Sequence, residues 1–496
     1  MTQDTLSAAA ARRQAGDLAG ARTLAEQAVG AAPDSVEARL LLAITCFEQG
    51  NAQEAAGQFE ALLALAPEHA VAHYGLGNAL RQQGRLEAAA SSYRRALEID
   101  PSFAPALGNL GATYQELGRL EEAIGAFEQA LSRRSEHPQS HFNLANALQA
   151  AGRLERAAEH YRRTLALAPQ IAAAHSNLGV VLQKQGDGAG AADCFHQAIA
   201  LDPNYGEAHL NLAHLLNGQD KLDEAIASYR RAIALMPKAA PVHVSLANAL
   251  LKSGQAAEAL AAIDHSLTLG PPGIRALALK SAALSQVGDR AGEQRLVDLE
   301  AMIEQVAIEP PSSYETLASF NRELTHLVTN HPTLRGDKTT VNGRDTGDLF
   351  GEEGPAITAL RTFVGRRARA YLDRLSSLAD HPLGAHRPER YHLKAWGVRM
   401  WRQGYQVPHF HQNAWLSGVY YVQLPDAVAG SEGHEGWIEF GRGTDDLYIA
   451  SEPTIRLIEP KVGRLLIFPS YVWHRTLPFE SDQERISIAF DLIPEA

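Results

Sequence analysis

Cysteine is scarce: Cys46 and Cys194 are the only two in 496 residues, too few for a disulfide framework or a thiolate metal cage. No stretch approaches the roughly 18–20 uninterrupted apolar residues that a membrane-spanning helix needs. There is no basic tract, and the formal net charge is −12, which argues against nucleic acid or an anionic membrane as the main ligand. The N-terminal segment MTQDTLSAAAARRQAGD puts its charges after a short apolar stretch, the wrong order for a secretory signal. The expected setting is therefore reducing and cytoplasmic. What remains is ordinary globular composition, 45% hydrophobic and 21% charged, in a chain long enough for more than one folding unit.

A period of 34 residues dominates the first three fifths. Small residues recur at Ala9, Ala43, Gly77, Gly111, Ala145, Gly179, Ala213, Ala247 and Ser281. Twelve residues after each of the first eight comes an alanine, from Ala21 to Ala259, and an aromatic usually follows four later: Phe59, Tyr93, Phe127, Tyr161, Phe195, Tyr229. Gly50, Gly84, Gly118, Gly152, Gly186 and Gly254 mark the middle of a unit, and prolines such as Pro67, Pro101 and Pro203 close it. Two antiparallel helices per unit satisfy this pattern: small residues permit close approach, the aromatic fills the space beside them, and glycine makes the turn. The pattern resembles the tetratricopeptide repeat and implies an all-α superhelix over residues 1–305, about eight repeats plus a capping or connecting helical pair.

Two polar ladders share the period. Asn109, Asn143, Asn177 and Asn211 hold one position, and Asn78, Asn146 and Asn248 a second, three residues along the same helix. A carboxamide both donates and accepts, so a row of them can pair with the main chain of an extended peptide. The row resembles the asparagine ladder of the O-GlcNAc transferase superhelix, which implies a protein or peptide partner in the groove; a tolerated polar residue on a solvated face is the plainer alternative. His73, His141, His175, His209 and His243 recur once per repeat, too far apart to share a metal, and are assigned to structure.

The period ends near residue 306. Pro310-Pro311-Ser312-Ser313 leads into amphipathic stretches over 313–328 and 354–380, separated by a polar section without periodicity. Strand character follows at 391–401, 405–411, 416–424, 436–441, 455–459, 464–469 and 484–492, a density that predicts a sandwich or barrel over 306–496 with flanking helices.

Three segments here carry chemistry: Pro408-His409-Phe410-His411-Gln412-Asn413 running into Ser417-Gly418-Val419-Tyr420-Tyr421, then Gly463 to His474, then Glu484-Arg485-Ile486-Ser487. Side chains alternate along a strand, so His409 and His411 point to one side, as do Arg485 and Ser487. Taken singly, each has a bland reading: a satisfied histidine, a packed tyrosine, a common Arg-x-Ser. Their order lifts them.

That order resembles the Fe(II)- and 2-oxoglutarate-dependent oxygenases built on a double-stranded β-helix, or jelly roll. The resemblance implies Fe(II) held by His409 and His474, with 2-oxoglutarate and O2 as co-substrates. It implies that Arg485 and Ser487 bind the far carboxylate of 2-oxoglutarate, joined by Tyr421 or Tyr420. One departure stands out, since the superfamily's Asp or Glu ligand is replaced by His411. The aspartyl/asparaginyl β-hydroxylases likewise keep two histidines, lack the carboxylate and carry tetratricopeptide repeats. His411 is then a third metal ligand, or a contact for the co-substrate's C1 carboxylate or the substrate. A metal-binding cupin would share the histidines without needing Arg485 and Ser487.

The expected function is hydroxylation of a protein or peptide side chain held by the repeats. Two alternatives stay open: a small-molecule oxygenase whose repeats dock partners, and a non-catalytic adaptor with a degenerate barrel.

Overall fold

Why each 34-residue unit becomes two packed helices is visible in the side-chain geometry of a computed structural model, which describes residues 2–336, 339–375, 381–447 and 452–495. A Cβ placed on Gly77 would lie 2.5 Å from the Tyr93 ring, and one on Gly111 2.7 Å from Phe127. The glycine is thus the socket for the aromatic of its own unit, and those aromatics are fully buried. Helix pairs follow one another from Thr2–Gln14 with Leu18–Ala31 to Ala172–Lys184 with Gly188–Leu201. Between the helices of a pair, glycines such as Gly84 (φ +74°) and Gly118 (φ +72°) adopt the left-handed backbone that ends a helix at little steric cost. In the seventh unit Asp220 takes that position with φ +56°.

The chain divides into two compact units, Met1–Leu215 and Leu216–Ala496. The second holds the last helical pairs together with the sheet domain. Its helices include Leu222–Leu235, Ala240–Lys252, Ala256–Thr268 and Ile274–Val287, then the short Arg290–Leu296. Polar contacts join these helices to the sheet domain. Trp473 Nε1 donates to Ala278 O at 3.1 Å, Tyr471 Oη to Leu296 O at 2.5 Å, and Lys252 pairs with Asp446 at 2.8 Å.

The strands are β1 (Glu304–Ala307), β2 (Thr340–Asp345), β3 (Tyr391–His409), β4 (Leu416–Gln423), β5 (Ile438–Phe440), β6 (Arg456–Ile458), β7 (Arg464–Pro469), β8 (His474–Thr476) and β9 (Arg485–Pro494). Hydrogen-bonded neighbours run β1-β7-β4-β9-β3-β8-β5-β6, with β2 also on β3. All pairings are antiparallel. β3 belongs to two layers: its first half, Tyr391–Met400, pairs with β9, and its end pairs with β8 through Gln406 and His409. This makes one layer of β3-β9-β4-β7 and a facing layer of β3-β8-β5-β6, the curled jelly-roll arrangement expected from the sequence.

Helices Leu317–Thr329 and Pro355–Leu375 flank the sheet; the end of the helix expected over 354–380, residues 376–380, lies outside the described residues. β1, β2 and β8 have no counterpart among the expected strands, and the segments expected at 391–401 and 405–411 form the single strand β3. Gln403, with φ +58°, takes up the bend while the ladder continues on either side.

Candidate active site

Antiparallel pairing sets two imidazoles face to face. His409 at the end of β3 is the direct cross-strand partner of His474 at the start of β8, with ring centroids 4.3 Å apart. His411 lies just beyond the strand, its backbone N–H bonded to Ser470 O, and its ring is 5.3 Å from His409 and 5.2 Å from His474. One nitrogen from each ring falls within 4.8 Å of the others, a group that can hold a metal ion.

The tautomers follow from the outer contacts. His409 Nδ1 lies 2.8 Å from Val407 O, His474 Nδ1 3.0 Å from Val472 O, and His411 Nδ1 2.6 Å from Asp491 Oδ1. Carbonyl and carboxylate oxygens only accept, so each Nδ1 carries a proton and Nε2 is the nitrogen left to meet a metal. His474 is held well below the ordinary histidine range, chiefly by burial and then by the two neighbouring imidazoles. A neutral ring is what a metal ligand requires.

The three histidines line a cavity of about 490 Å³. β9 supplies one wall through its alternate residues, Arg485, Ser487, Ala489, Asp491 and Ile493. Arg485 is 2% exposed. Its Nη1 reaches Ser487 Oγ at 3.4 Å and Met400 Sδ at 4.0 Å, and its guanidinium lies 5.3 Å from the Tyr421 ring centroid. Nε is buried without a hydrogen-bond partner, as is the Tyr421 hydroxyl. Burial lowers the guanidinium's pKa, yet arginine keeps its charge in proteins. Burial also pushes the Tyr421 phenol up to about 12, so it remains a neutral donor.

A buried cation paired with no carboxylate and a buried hydroxyl with no acceptor among the described residues, both lining one cavity, call for an anionic ligand. A dicarboxylate meets that requirement at one end and a metal held by three Nε2 atoms at the other. The residues present therefore fit both iron and 2-oxoglutarate.

Tyr420 does not join them. It points to the opposite face of β4, where its hydroxyl donates to Asn321 Oδ1 at 2.6 Å, as alternation next to Tyr421 requires. The residue that sequence reasoning missed is Asp491, whose Oδ1 also accepts from Ser417 Oγ at 2.7 Å. Ser417 and Asp491 are cross-strand partners, and Ser417 Oγ lies 2.9 Å from Ser470 Oγ. Extending the Arg485, Ser487 alternation by two further steps reaches Asp491.

In the repeats, the ladder asparagines bond to their neighbours. Asn109 Nδ2 donates to Asn78 Oδ1 at 2.7 Å and Asn177 Nδ2 to Asn146 Oδ1 at 3.0 Å; Asn211 Nδ2 reaches Ser176 Oγ at 3.1 Å. Tyr93 and Tyr161 close the first two of these links by donating to Asn78 and Asn146, and Asn143 accepts from Gln139 at 2.8 Å. All four remain half-buried, and each carboxamide has further hydrogen-bonding capacity. The histidine ladder is structural: Nε2 of His73, His175, His209 and His243 each lies 2.9–3.1 Å from the carbonyl of the proline six residues earlier, and His141 makes the same contact with Ser135 O at 2.8 Å.

Residues 394–491 match the family model described as "Putative 2OG-Fe(II) oxygenase". Tetratricopeptide-repeat models match 12–73 and 216–283, 47–102 and 176–241, and 102–170. No curated protein matches the chain. Among solved structures, MamA is 23% identical over 33% of this chain and 95% of its own, with a TM-score of 0.31. The Cut9–Hcn1 hetero-tetramer of the APC/C is 20% identical over 56% of this chain and 55% of the other, with a TM-score of 0.42. YrrB, described as a TPR protein with an unusual peptide-binding site, is 19% identical over 37% and 95%, with a TM-score of 0.34. At such scores the likenesses add nothing to the repeat assignment, which rests on the family models and the geometry.

Proposed function

We propose that this chain, a tetratricopeptide-repeat protein with a C-terminal domain of the 2OG-Fe(II) oxygenase family, hydroxylates a side chain of a protein or peptide using Fe(II), 2-oxoglutarate and O2. The observation that carries the oxygenase reading is Arg485, a buried cation without an anionic partner among the described residues, in the cavity lined by three imidazoles. A cupin that binds metal alone gains nothing from keeping that charge out of water.

In this reading His409, His411 and His474 hold the metal through Nε2. Arg485 grips the far carboxylate of 2-oxoglutarate, its fork matched to two oxygens, with the Tyr421 and Ser487 hydroxyls as further donors. Val398, Ile438 and Phe468 give the same cavity an apolar lining that keeps bulk water from the reacting atoms. When bound, iron and 2-oxoglutarate supply the oxidation itself, in which decarboxylation to succinate is coupled to hydroxylation of the substrate. The repeats supply the target: a segment tethered to the same chain reaches the cavity at a raised local concentration. The half-buried carboxamides of Asn109, Asn143, Asn177 and Asn211 are the groups proposed to grip it.

The test is succinate release from 2-oxoglutarate under oxygen after anaerobic loading with Fe(II). Wild type should turn over, and the Ala variants of His409, His474 and Arg485 should not. Absence of both iron and 2-oxoglutarate binding in wild type would leave the adaptor reading. Stimulation by a peptide library, lost in Asn143→Ala/Asn177→Ala, supports a protein substrate. Turnover stimulated only by small molecules supports the docking alternative.

A further inference from the structure

We infer that Asp491 is a positioning residue that makes His411 the third metal ligand and returns to the site the negative charge that the missing carboxylate ligand would have carried. The inference rests on the oxygenase reading above and extends it to a residue with no role there.

Three observations converge on Asp491. It sits on the cavity face of β9, and its Oδ1 is 2.6 Å from His411 Nδ1. The same oxygen accepts from Ser417 Oγ at 2.7 Å, and Ser417 is in turn 2.9 Å from Ser470. Ser417 and Ser470 are fully buried, so the carboxylate is fixed from behind. The His411 backbone N–H is bonded to Ser470 O, so the loop and the carboxylate share one anchor.

The chemistry follows from the order of the contacts. A carboxylate accepting from Nδ1–H fixes the ring's tautomer and orientation and makes Nε2 a better donor to a metal. At the corresponding nitrogen His409 meets Val407 O and His474 meets Val472 O, both backbone carbonyls. Three neutral imidazoles leave a divalent ion one negative charge short of the superfamily's two-histidine, one-carboxylate set. Asp491 supplies that charge across one imidazole ring. It explains how His411 can stand where an acidic ligand is expected.

Co(II) is the probe, since its visible absorption reports ligand number and geometry, and its binding can be measured without oxygen or turnover. The proteins are full-length wild type, Asp491→Asn, Asp491→Ala, Ser417→Ala and His411→Ala. Asp491→Asn is nearly isosteric and retains an acceptor for Nδ1–H, so it separates charge from shape; thermal melting of the metal-free proteins checks folding. We expect about 10- to 100-fold weaker Co(II) binding in Asp491→Ala, an intermediate loss in Asp491→Asn, and a changed Co(II) spectrum in Asp491→Ala matching that of His411→Ala. Wild-type affinity and spectrum in both Asp491 variants overturn the inference while leaving the oxygenase reading intact. A wild type that binds no Co(II) removes both.

Discussion

Replacing Arg485 with methionine should stabilise the ligand-free protein while abolishing its affinity for 2-oxoglutarate. Arg485 is 2% exposed, its Nε is unpartnered, and its Nη1 reaches Ser487 Oγ at 3.4 Å and a thioether at 4.0 Å. An orphaned buried donor costs about 1–3 kcal/mol, and replacing buried charges with apolar residues of similar volume often gains about 1–4 kcal/mol. Against this stands the loss of the contact with the Tyr421 ring, about 0.5–2 kcal/mol. Taking the middle of each range, the net expectation is a gain of about 1 kcal/mol, or a rise in Tm of about 2–4 °C. Denaturant and thermal unfolding of metal-free protein measure it. Binding moves the other way: losing the partner of a buried carboxylate costs about 2–5 kcal/mol, roughly 30- to several-thousand-fold in Kd. Anaerobic calorimetry with 2-oxoglutarate and Mn(II) reads that term. A metal-free variant that melts below wild type, or binds 2-oxoglutarate within threefold of it, would refute the claim that this cation is held for an anion from outside.

Three further outcomes follow from other parts of the molecule. Burial holds the His381 pKa below its ordinary value, so the unfolded chain takes up the proton first; stability is complete above about pH 6.5 and falls as pH drops below it, by up to about 1.4 kcal/mol per pH unit from this group. Urea midpoints of wild type and His381→Gln across pH 5–8 should converge at the acid end. Gly418→Ala should destabilise the sheet domain by about 1–3 kcal/mol or more, because its Cβ would lie 2.3 Å from Leu466 O and 2.2 Å from the Phe490 ring; a melt unchanged from wild type contradicts that packing. His175→Ala, which removes the bond to Pro169 O, should cost about 0.5–1.5 kcal/mol in chemical unfolding without changing metal affinity.

The repeats were legible because their code is local. Glycine or alanine, an alanine twelve residues on and an aromatic four further meet within one helical pair, and the Gly77–Tyr93 contact is that code in space. The sheet was legible where alternation ran long, as in β4 and β9, and illegible where non-local pairing decides. β8 is three residues, and β1 exists because Glu304–Ala307 finds the edge of β7. The break expected between 401 and 405 does not end the strand, since one positive-φ residue absorbs it. At the site, the resemblance carried by order along the chain implied roles for His409, His411, His474, Arg485, Ser487 and Tyr421 or Tyr420; all but Tyr420 line one cavity. Tyr420 could not be separated from Tyr421 without knowing which face of β4 is inward. Asp491 escaped because its role needs His411 and Ser417, 80 and 74 residues away in sequence.

The hydrogen bonds from Trp473 to Ala278 and from Tyr471 to Leu296 bear on how such a chain could be assembled over generations. The segment before His474 is suspended from the terminal helical pair, and Glu293, almost fully buried, receives the Thr454 hydroxyl at 3.2 Å. Recombination at the end of the repeat pattern would transplant a sheet domain with buried donors deprived of their acceptors. Each orphan would cost about 1–3 kcal/mol, out of a typical total of only about 5–15. An exchange that preserved the sheet domain would have to carry its last helical pairs along, even though their sequence reads as repeat.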